Sequence, residues 1–548
     1  MSAKYANHSS TLAASLFCLI AAAGVAPVSG AQPAPDANLP HLEKRGAITQ
    51  LIVEGKPFII LGGQVNNPTG FPDRMERAWP QFKSLNANTI EFPIYWEQIE
   101  PQEGRFDFSG VDQIIRGLRS QNLRAVPLWF GTYKNGAMDY VPAWVKTDTK
   151  RFPRVLDYGG RPIGVLSPHG QATLEADRKA YSALMKHLKE IDGTDHTVIM
   201  MQVENESGIL GSVRDYSPES TRLLNGPVPE KLANALKKKP GTWKEVFGRR
   251  AEEMFTGYHL SSYINEVARA GKSVYPIPTC VNVWMGGDDT NDRMTEFDRP
   301  GDSYPSGGPQ SHMIDLWKAT APDIDVIGPD IYHQSPIVYR MILTRYARPD
   351  NPLFVIETGR AIAPRFLFSA LADFSAIGFT PYGIDSGSGT NVPPEFTGIA
   401  AGFRLLKPAL PVIAELQGTD KLKAAVEEDA ISGRMLYFDG YDILVRFRPP
   451  VRNAAPAAAP TGPVVPSGRV LVGQLGPDEF LIAGFDAALD FAPPMGSEFT
   501  RADYLRVEEG TYENGVWKTT NLRNGNFSIS GVTLSAQGAM LKVKLMKY

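Results

Sequence analysis

Cysteine is nearly absent from the chain. Its 548 residues include two cysteines, and one of them, Cys18, lies in an apolar segment near the start. If that segment is removed, Cys280 is left alone, so no disulfide can form within the chain and stability must come from a hydrophobic core. A chain of this length exceeds what one core usually supports. We therefore expect two or more domains.

The sequence also lacks a strong charge of either sign. The net charge is −3 and the isoelectric point is about 6.3. Without a basic stripe that carries interleaved aromatic residues, nucleic acid is not an expected partner. None of the eight histidines falls in an HExxH motif or a similar pair, and a lone Cys280 among apolar neighbours is more typical of a core than of a metal site. We expect neither a metal nor a cofactor.

The apolar run near the start is too short to cross a membrane. Residues 12–26 fall below the roughly 20 residues that a spanning helix needs, and the small residues at positions 29–31 suit a signal peptidase. We predict a cleaved signal peptide at residues 1–31, export to the periplasm or the extracellular medium, and no stable membrane insertion. The alternative is an uncleaved anchor. A lipid anchor is not expected, because no small residue directly precedes Cys18.

An apolar run at residues 198–203 stops abruptly at Glu204, Asn205 and Glu206. A strand-length run of this kind is typical of a strand buried on both faces, as in a parallel sheet wrapped by helices. At the C-terminal mouth of a parallel barrel, strand ends carry chemistry, and two carboxylates beside an amide suit acid–base work on a neutral substrate. Taken alone, the three residues fit a strand that enters a polar loop equally well.

A second segment has the same construction. Residues 352–359 form another apolar strand-like run, which ends on a single carboxylate, Glu357. A retaining glycosidase needs two carboxyl groups roughly 5–5.5 Å apart, one as proton donor and one as ionised nucleophile. Glutamates at two strand ends of one barrel can meet that distance, so the pair favours a glycosidase.

Both motifs resemble those of the β/α-barrel glycosidases of clan A. Within the clan, the segment Gln-Val-Glu-Asn-Glu at residues 202–206, followed by Gly208, is similar to glycoside hydrolase family 35, the β-galactosidases. The resemblance implies that Glu206 is the acid/base, that Asn205 contacts a sugar 2-hydroxyl group, and that Glu357 is the nucleophile. Strand alternation alone would send Glu204 and Glu206 to the same face. The resemblance decides for Glu206, because the clan's acid/base follows directly after Asn.

The regular alternation of the sequence predicts a (β/α)8 TIM barrel over residues 45–410, after a disordered lead-in at residues 32–44. In this barrel Glu206 follows the fourth strand and Glu357 ends the seventh. The predicted strands are residues 58–64, 89–95, 125–130, 198–203, 279–284, 324–331, 353–356 and 378–382. Predicted helices between them include residues 73–86, 111–119, 176–191 and 245–270.

Other strand ends carry aromatic side chains. Tyr332, after the sixth strand, matches the clan's tyrosine that hydrogen-bonds the nucleophile, and its phenol would favour the ionised form of Glu357. Trp129, Trp284 and Tyr382 could stack on sugar faces, although any one aromatic residue belongs more often to a core.

The third strand differs from family 35. The acidic residue that usually follows it and binds galactose hydroxyl groups is absent, and Thr132, Lys134 and Asn135 are the polar residues available there. We expect Lys134 and Asn135 to contact substrate, and the identity of the sugar stays open. Residues 96–108 resemble a segment shared by families 35 and 42. Two long loops, residues 136–173 and 285–312, are expected to shape the outer wall of the pocket.

Residues 411–548 change character to short β-like runs, which predict a C-terminal antiparallel β-sandwich. The predicted strands are residues 433–438, 442–447, 469–474, 480–483, 504–508, 515–518, 527–530 and 540–545. Residues 449–466 form a low-complexity loop. A carbohydrate-binding role is possible, but Trp517 is the only indole in these runs, which favours a scaffold that packs on the barrel.

The expected function is that of a secreted, exo-acting, retaining β-galactosidase acting on an oligosaccharide such as a plant cell-wall fragment. A homodimer is possible. One alternative is another clan A exo-glycosidase, specific for a glucoside, arabinoside or mannoside. The other is a sugar-binding barrel without turnover, which the presence of both Glu206 and Glu357 disfavours.

Overall fold

The structure is a computed structural model that describes residues 38–289, 299–359, 361–387, 389–428, 433–447, 466–523 and 531–548. The chain divides into residues 1–36 and a second unit, Ala37–Tyr548, which contains all of these ranges. No helix in the described ranges has both the length and the apolarity to cross a bilayer. The predicted signal peptide lies outside the described residues and stays a prediction.

The described chain begins with a small antiparallel sheet of β1 (His41–Arg45), β2 (Ile48–Val53) and β3 (Lys56–Pro57). β1 pairs along its whole length with β2. This corrects the predicted lead-in, because residues 41–44 are ordered by backbone pairing. Leu51 and Val53 of β2 are buried in the cluster that fills the barrel interior.

Eight parallel strands close into a barrel, which confirms the predicted fold class. The first three are β4 (Ile60–Gln64), β5 (Thr89–Tyr95) and β6 (Arg124–Lys134). A hairpin of β7 (Arg154–Leu156) and β8 (Pro162–Leu166) follows in the first long loop. The other five barrel strands are β9 (Met201–Asn205), β10 (Thr279–Val283), β11 (Val326–Ile331), β12 (Phe354–Thr358) and β13 (Gly378–Pro381). β6 runs four residues past its predicted end and pairs Lys134 with Asn205.

Helices cover the outside of the barrel. They are α1 (Pro72–Leu85), α2 (Trp96–Ile99), α3 (Ser109–Ser120), α4 (Ala143–Thr147), α5 (Gln171–Asp192), α6 (Pro218–Leu224), α7 (Glu230–Ala235), α8 (Trp243–Phe247), α9 (Ala251–Lys272), α10 (Ile314–Thr320), α11 (Pro336–Tyr346), α12 (Ala363–Ala372), α13 (Thr397–Leu406) and α14 (Leu410–Leu416). The helix predicted at residues 245–270 is two helices. Gly248, with φ 58°, ends α8 because a left-handed residue cannot continue an α-helix.

The barrel interior is apolar at its lower end and polar at its mouth. Ile60, Val126, Cys280, Val326 and Phe354 belong to one buried cluster inside the strands. Cys280 is fully buried there, as a core residue would be. Polar residues therefore concentrate at the C-terminal strand ends, which is where barrel enzymes place their chemistry.

The C-terminal region is a sandwich of two antiparallel sheets, as predicted. Its strands are β14 (Leu422–Val426), β15 (Gly433–Phe438), β16 (Tyr441–Phe447), β17 (Arg469–Gly476), β18 (Glu479–Phe485), β19 (Ala487–Ala492), β20 (Ala502–Glu513), β21 (Val516–Leu522), β22 (Val532–Leu534) and β23 (Ala539–Lys547). One sheet has the order β14-β17-β18-β23-β20-β21 and the other β15-β16-β19-β22. Ile443 and Val445 of the smaller sheet share a buried cluster with Val472 and Ile482 of the larger one.

The outer face of the larger sheet packs on the barrel. Leu471 and Leu481 belong to the same buried cluster as Phe368 of α12 and Phe403 of α13. Across this junction, the backbone N–H of Ala424 donates to Asp373 over 3.0 Å. This packing supports a scaffold role. The strand predicted at residues 527–530 and nearly all of the loop at residues 449–466 lie outside the described residues.

Candidate active site

A cavity of about 770 Å³ lies at the C-terminal ends of the barrel strands. Seven of the nine predicted site residues line it. They are Lys134, Asn135, Glu206, Trp284, Tyr332, Glu357 and Tyr382. The fold therefore brings together side chains from six different strand ends, which are far apart in sequence.

Three carboxyl groups meet in this cavity. Glu206, Asp330 and Glu357 each offer an oxygen that lies within 4.8 Å of the other two. Retaining glycosidases hold their two carboxyl groups roughly 5–5.5 Å apart, whereas inverting enzymes need about 6.5–9.5 Å. The observed spacing agrees with the shorter distance. The same three oxygens are close enough to ligate a cation, although the ammonium of Lys134 lines the same cavity. The absence of a metal and of a cofactor stays a prediction.

Glu357 is surrounded by hydrogen-bond donors. Its Oε1 accepts from Gln64 Nε2 at 2.8 Å and from Asn282 Nδ2 at 3.2 Å, and its Oε2 accepts from Tyr332 Oη at 2.8 Å. A carboxyl group that accepts at both oxygens matches the ionised form. Tyr332 thus occupies the position that the sequence motif predicted.

Glu206 leaves the end of β9 through an unusual backbone. Glu204 has φ 64° and Glu206 has φ 43°, so two residues out of three are left-handed. The backbone N–H of Glu206 donates to Asn282 Oδ1 at 2.7 Å, which fixes this turn. Because the chain is no longer extended here, strand alternation does not apply. Glu206 lines the cavity and Glu204 does not.

The surroundings of Glu206 suit a proton donor. Burial, together with the negative charge of Glu357, raises the pKa of Glu206 to about 7, while the Lys134 ammonium and a hydrogen bond with Asp330 act in the opposite direction. A carboxyl group with this pKa is protonated over most of the acidic range, and it stays poised to release its proton near neutrality.

Glu204 belongs to a separate buried pair. Its two oxygens accept the backbone N–H groups of Thr132 at 3.1 Å and Tyr133 at 2.7 Å. Its carboxyl group also hydrogen-bonds that of Asp177, and burial raises the pKa of both groups. Two hydrogen-bonded carboxyl groups need a proton between them. The raised pKa values favour a proton on the pair, and the bonds from Thr132 and Tyr133 tie the end of β6 to that of β9.

Trp129 is part of this pair's surroundings and not of the cavity wall. Its ring is fully buried, and its indole N–H donates to Asp177 Oδ1 at 2.9 Å. Thr132 is buried as well and donates to Asp177 Oδ2 at 2.6 Å. This corrects the prediction that Trp129 stacks on a sugar, because a strand residue facing the helices cannot reach the barrel mouth.

Asn205, which directly precedes Glu206, does not line the cavity, and its side-chain amide is unsatisfied. The residue is 1% exposed, and neither its side-chain nitrogen nor its oxygen has a hydrogen-bond partner within the described residues. Its backbone C=O accepts from the N–H of Asn135 at 3.0 Å. Buried amides need partners, so a water molecule or a ligand hydroxyl group is required here.

Lys134 and Asn135 form the wall that differs from family 35. Lys134 is 5% exposed, donates to Asn135 Oδ1, and lies 5.0 Å from the ring centre of Phe130. Burial lowers the pKa of Lys134, while the carboxyl groups of Glu206 and Glu357 oppose this shift. An ammonium group with an amide thus stands where the family has an acid.

The prediction missed three residues that organise the site, Gln64, Asn282 and Asp330. Each is a buried polar residue in the last part of an apolar strand, namely β4, β10 and β11. The rule that selected Glu206 and Glu357 could have found them if it had been applied to every strand end. Asn67, His333 and Glu395 also line the cavity.

Comparison with known proteins places the barrel in a family context. Residues 50–276 match the family model "Glycosyl hydrolases family 35", and residues 399–531 match a "Domain of unknown function (DUF5597)". Over residues 50–276 the chain is therefore similar to the family 35 β-galactosidases. The resemblance that its motifs indicated is confirmed.

The curated relatives match part of the chain. A β-galactosidase of Xanthomonas manihotis is 27% identical over 232 residues, which cover 37% of this chain and 36% of that protein. "Beta-galactosidase 11" of Arabidopsis thaliana is 26% identical over 168 residues, covering 27% and 20%. A β-1,2-glucosyltransferase of Ignavibacterium album is 27% identical over 192 residues, covering 31% and 26%. The chain thus spans little more than a third, or less, of the length of these relatives.

Solved structures align with most of the chain at low identity. A β-galactosidase from Bacillus circulans sp. alkalophilus has a TM-score of 0.45 and 16% identity, covering 65% of this chain and 57% of that one. The exo-β-1,4-mannosidase Op5Man5 from Opitutaceae bacterium strain TAV5 has a TM-score of 0.39 and 15% identity, covering 64% and 60%. The strand order described above is the basis of the fold assignment.

The Asp177–Glu204 pair should make stability depend on pH. Because burial raises the pKa of both groups, the folded chain keeps protons that the unfolded chain releases above its ordinary carboxyl pKa. Their stabilisation is complete below that unfolded pKa and is lost as pH rises through the folded pKa. We expect Glu204→Gln to flatten this decline by up to about 1.4 kcal/mol per pH unit for one proton.

Urea unfolding at a series of pH values measures this slope. Glu97→Gln is the control, because Glu97 is an exposed carboxylate whose ion pair with Lys146 is long, at 3.5 Å. It should keep the parent slope. A Glu204→Gln slope equal to that of the parent would show that the pair stores no proton.

Proposed function

We propose that this protein is a retaining exo-glycosidase that releases terminal β-galactosyl residues from an oligosaccharide. The main support is that Glu206 and Glu357 line one cavity but have different surroundings. Glu357 accepts three hydrogen bonds, as an ionised nucleophile does. Glu206 has a raised pKa, as a proton donor does.

The geometry supports a double displacement. In the first step, one oxygen of Glu357 attacks the anomeric carbon while Glu206 donates its proton to the departing glycosidic oxygen, and the bond between that oxygen and the anomeric carbon breaks. The product is a glycosyl ester of Glu357. The ester removes the negative charge that raises the pKa of Glu206. Glu206 then accepts a proton from water, whose oxygen displaces Glu357 and restores both carboxyl groups.

Substrate binding would use the other residues of the wall. The unpartnered amide of Asn205 suits the sugar 2-hydroxyl group, and Trp284 and Tyr382 are partly buried aromatic rings that can cover a sugar face. Lys134 and Asn135 would contact further hydroxyl groups. Galactose is the preferred sugar because several relatives are named β-galactosidases.

A second candidate is another clan A exo-glycosidase, specific for a glucoside, arabinoside or mannoside. The observation that favours it is Lys134, a buried cation at the place where family 35 binds galactose with an acid. The β-1,2-glucosyltransferase among the relatives also handles a different sugar, by its name. A sugar-binding barrel without turnover is disfavoured, because both carboxyl groups are present in a reactive arrangement.

We also propose that the protein acts outside the cytoplasm, on oligosaccharides such as plant cell-wall fragments. The support is the signal peptide predicted from residues 1–31. The C-terminal sandwich would serve as a scaffold, and a homodimer remains a prediction.

A panel of aryl β-glycosides tests the proposed function. We expect the full-length protein to release nitrophenol fastest from the β-galactoside, and Glu357→Gln to lose the reaction, because the covalent route needs that carboxylate. A fluorinated galactosyl inactivator should label Glu357 in the parent enzyme. Preference for another sugar would select the second candidate, and the absence of turnover on the whole panel would contradict an enzyme.

Azide rescue separates Glu206 from Glu204. With a dinitrophenyl leaving group, which needs no protonation, Glu206→Ala should keep substantial activity, and added azide should accelerate it by taking the place of the activated water. Glu204→Ala is the matched control, since its carboxyl group lies outside the cavity. It should lose stability without gaining from azide. Rescue of Glu204→Ala alone would reverse the assignment.

A further inference from the structure

Asp330 is the third carboxyl group of the cavity, and the mechanism above does not use it. It lies near the end of β11 and is 2% exposed. Its Oδ2 accepts from Asn282 Nδ2 at 2.9 Å. One of its oxygens lies within 4.8 Å of an oxygen of Glu206, and its Oδ1 has no hydrogen-bond partner within the described residues. A buried acid this close to the proton donor needs an explanation.

The contact between Asp330 and Glu206 requires a proton. Two ionised carboxyl groups this close and out of water repel each other, and both can only accept hydrogen bonds. A proton on one of the two removes the repulsion and supplies the unpartnered Oδ1 of Asp330 with a donor. Both oxygens of Glu357 already accept from amide and phenol donors. The proton therefore resides on the Asp330–Glu206 pair, and Glu357 carries the negative charge.

Asn282 contacts all three acidic residues of the cavity. Its side-chain N–H₂ donates to both Asp330 and Glu357, and its side-chain oxygen accepts the backbone N–H of Glu206. One amide on β10 thus holds the carboxyl groups of Asp330 and Glu357 and the backbone at Glu206.

We propose that Asp330 is a positioning residue that shares the proton of Glu206 and keeps it aimed at the cavity until a glycosidic oxygen arrives. The inference rests on the proposed role of Glu206 as acid/base. When the glycosidic bond breaks, the O–H bond on Glu206 is lost and one to the leaving oxygen forms. The pair then holds no proton, and the attacking water restores one in the second step.

Two acids that share a proton titrate together. Their protons leave in two steps, and the second leaves against a neighbouring negative charge, so it is retained to higher pH than it would be on one acid alone. Other titratable and charged groups that face the pair are Lys134, Cys280, Tyr332, His333, Tyr346, Glu357, Tyr382 and Glu395. All of them remain in a variant that changes Asp330 only.

The test compares the parent with Asp330→Asn, which removes the acid and keeps its size. In full-length protein labelled with ¹³C at the glutamate carboxyl carbons, the Glu206 signal is the one missing from Glu206→Gln. We expect it to titrate in two steps in the parent and in a single step in Asp330→Asn, below the upper step of the parent. The alkaline limb of kcat/KM should move to lower pH by about one unit or more.

Asp325→Asn is the matched control. Asp325 directly precedes the same strand at its opposite end, where its Oδ2 accepts from Thr279 N–H at 2.8 Å and from Lys272 Nζ at 2.6 Å. Its replacement should affect stability without moving the Glu206 titration. Asp330→Ser is a second variant without the acid, and it should also give a single step.

The outcomes are distinct. A single step in the parent, or two steps that persist in Asp330→Asn, would overturn the inference even if the rate fell. If the titration changes as expected but the parent hydrolyses no aryl glycoside, the shared proton is upheld and the proposed function is wrong. If Asp330→Asn changes the Glu206 titration and also moves the alkaline limb of kcat/KM, the shared proton and the proposed function are both supported.

Discussion

The site depends on the cost of holding three acids in one buried space. Carboxyl groups a few ångströms apart and out of water cannot all be ionised, so at least one of them keeps a proton. Three donors favour the ionised form of Glu357, because each donates a hydrogen bond to its carboxylate. They are Gln64, Asn282 and Tyr332. The lack of solvent and the charge of Glu357 then raise the pKa of Glu206. The positions of the donors thus make the two glutamates unlike.

Closure of the barrel brings the donors to the acid. Gln64 comes from β4 and Asn282 from β10, and only the closed sheet places both beside Glu357 at the end of β12. The apolar lower half fixes the strands, because its side chains are fully buried. The polar upper half can then hold unsatisfied groups such as Asn205 in place.

Much of this could be predicted from the sequence, since strand-length apolar runs that end in carboxylates identify both the barrel and its acidic mouth. The direction of the Glu204 side chain could not be predicted from the sequence. Alternation assumes an extended strand, whereas positive φ angles at Glu204 and Glu206 turn the chain. Trp129 was misplaced for a related reason, because an apolar run does not tell which face points inward. The contact of Asp330 with Glu206 joins distant strands and appears only after folding.

The wall at Lys134 is the part of the cavity that differs most from the family 35 motif. A cation beside three acids partly neutralises them, and it lowers the pKa of Glu206. We propose that a sugar presents its hydroxyl groups to this ammonium and amide, where family 35 offers an acid. In this proposal β6 selects the substrate, and the reacting carboxyl groups stand at the ends of β9 and β12.

The configuration of the first product tests the proposed covalent, retaining mechanism most directly. Proton NMR during the first minutes of hydrolysis of a β-glycoside reads the anomer before mutarotation. The spacing of Glu206 and Glu357, with oxygens within 4.8 Å, predicts that the β-sugar appears first. An initial α-sugar would contradict a retaining mechanism, because inversion requires a water molecule between two carboxyl groups that leave no room for one.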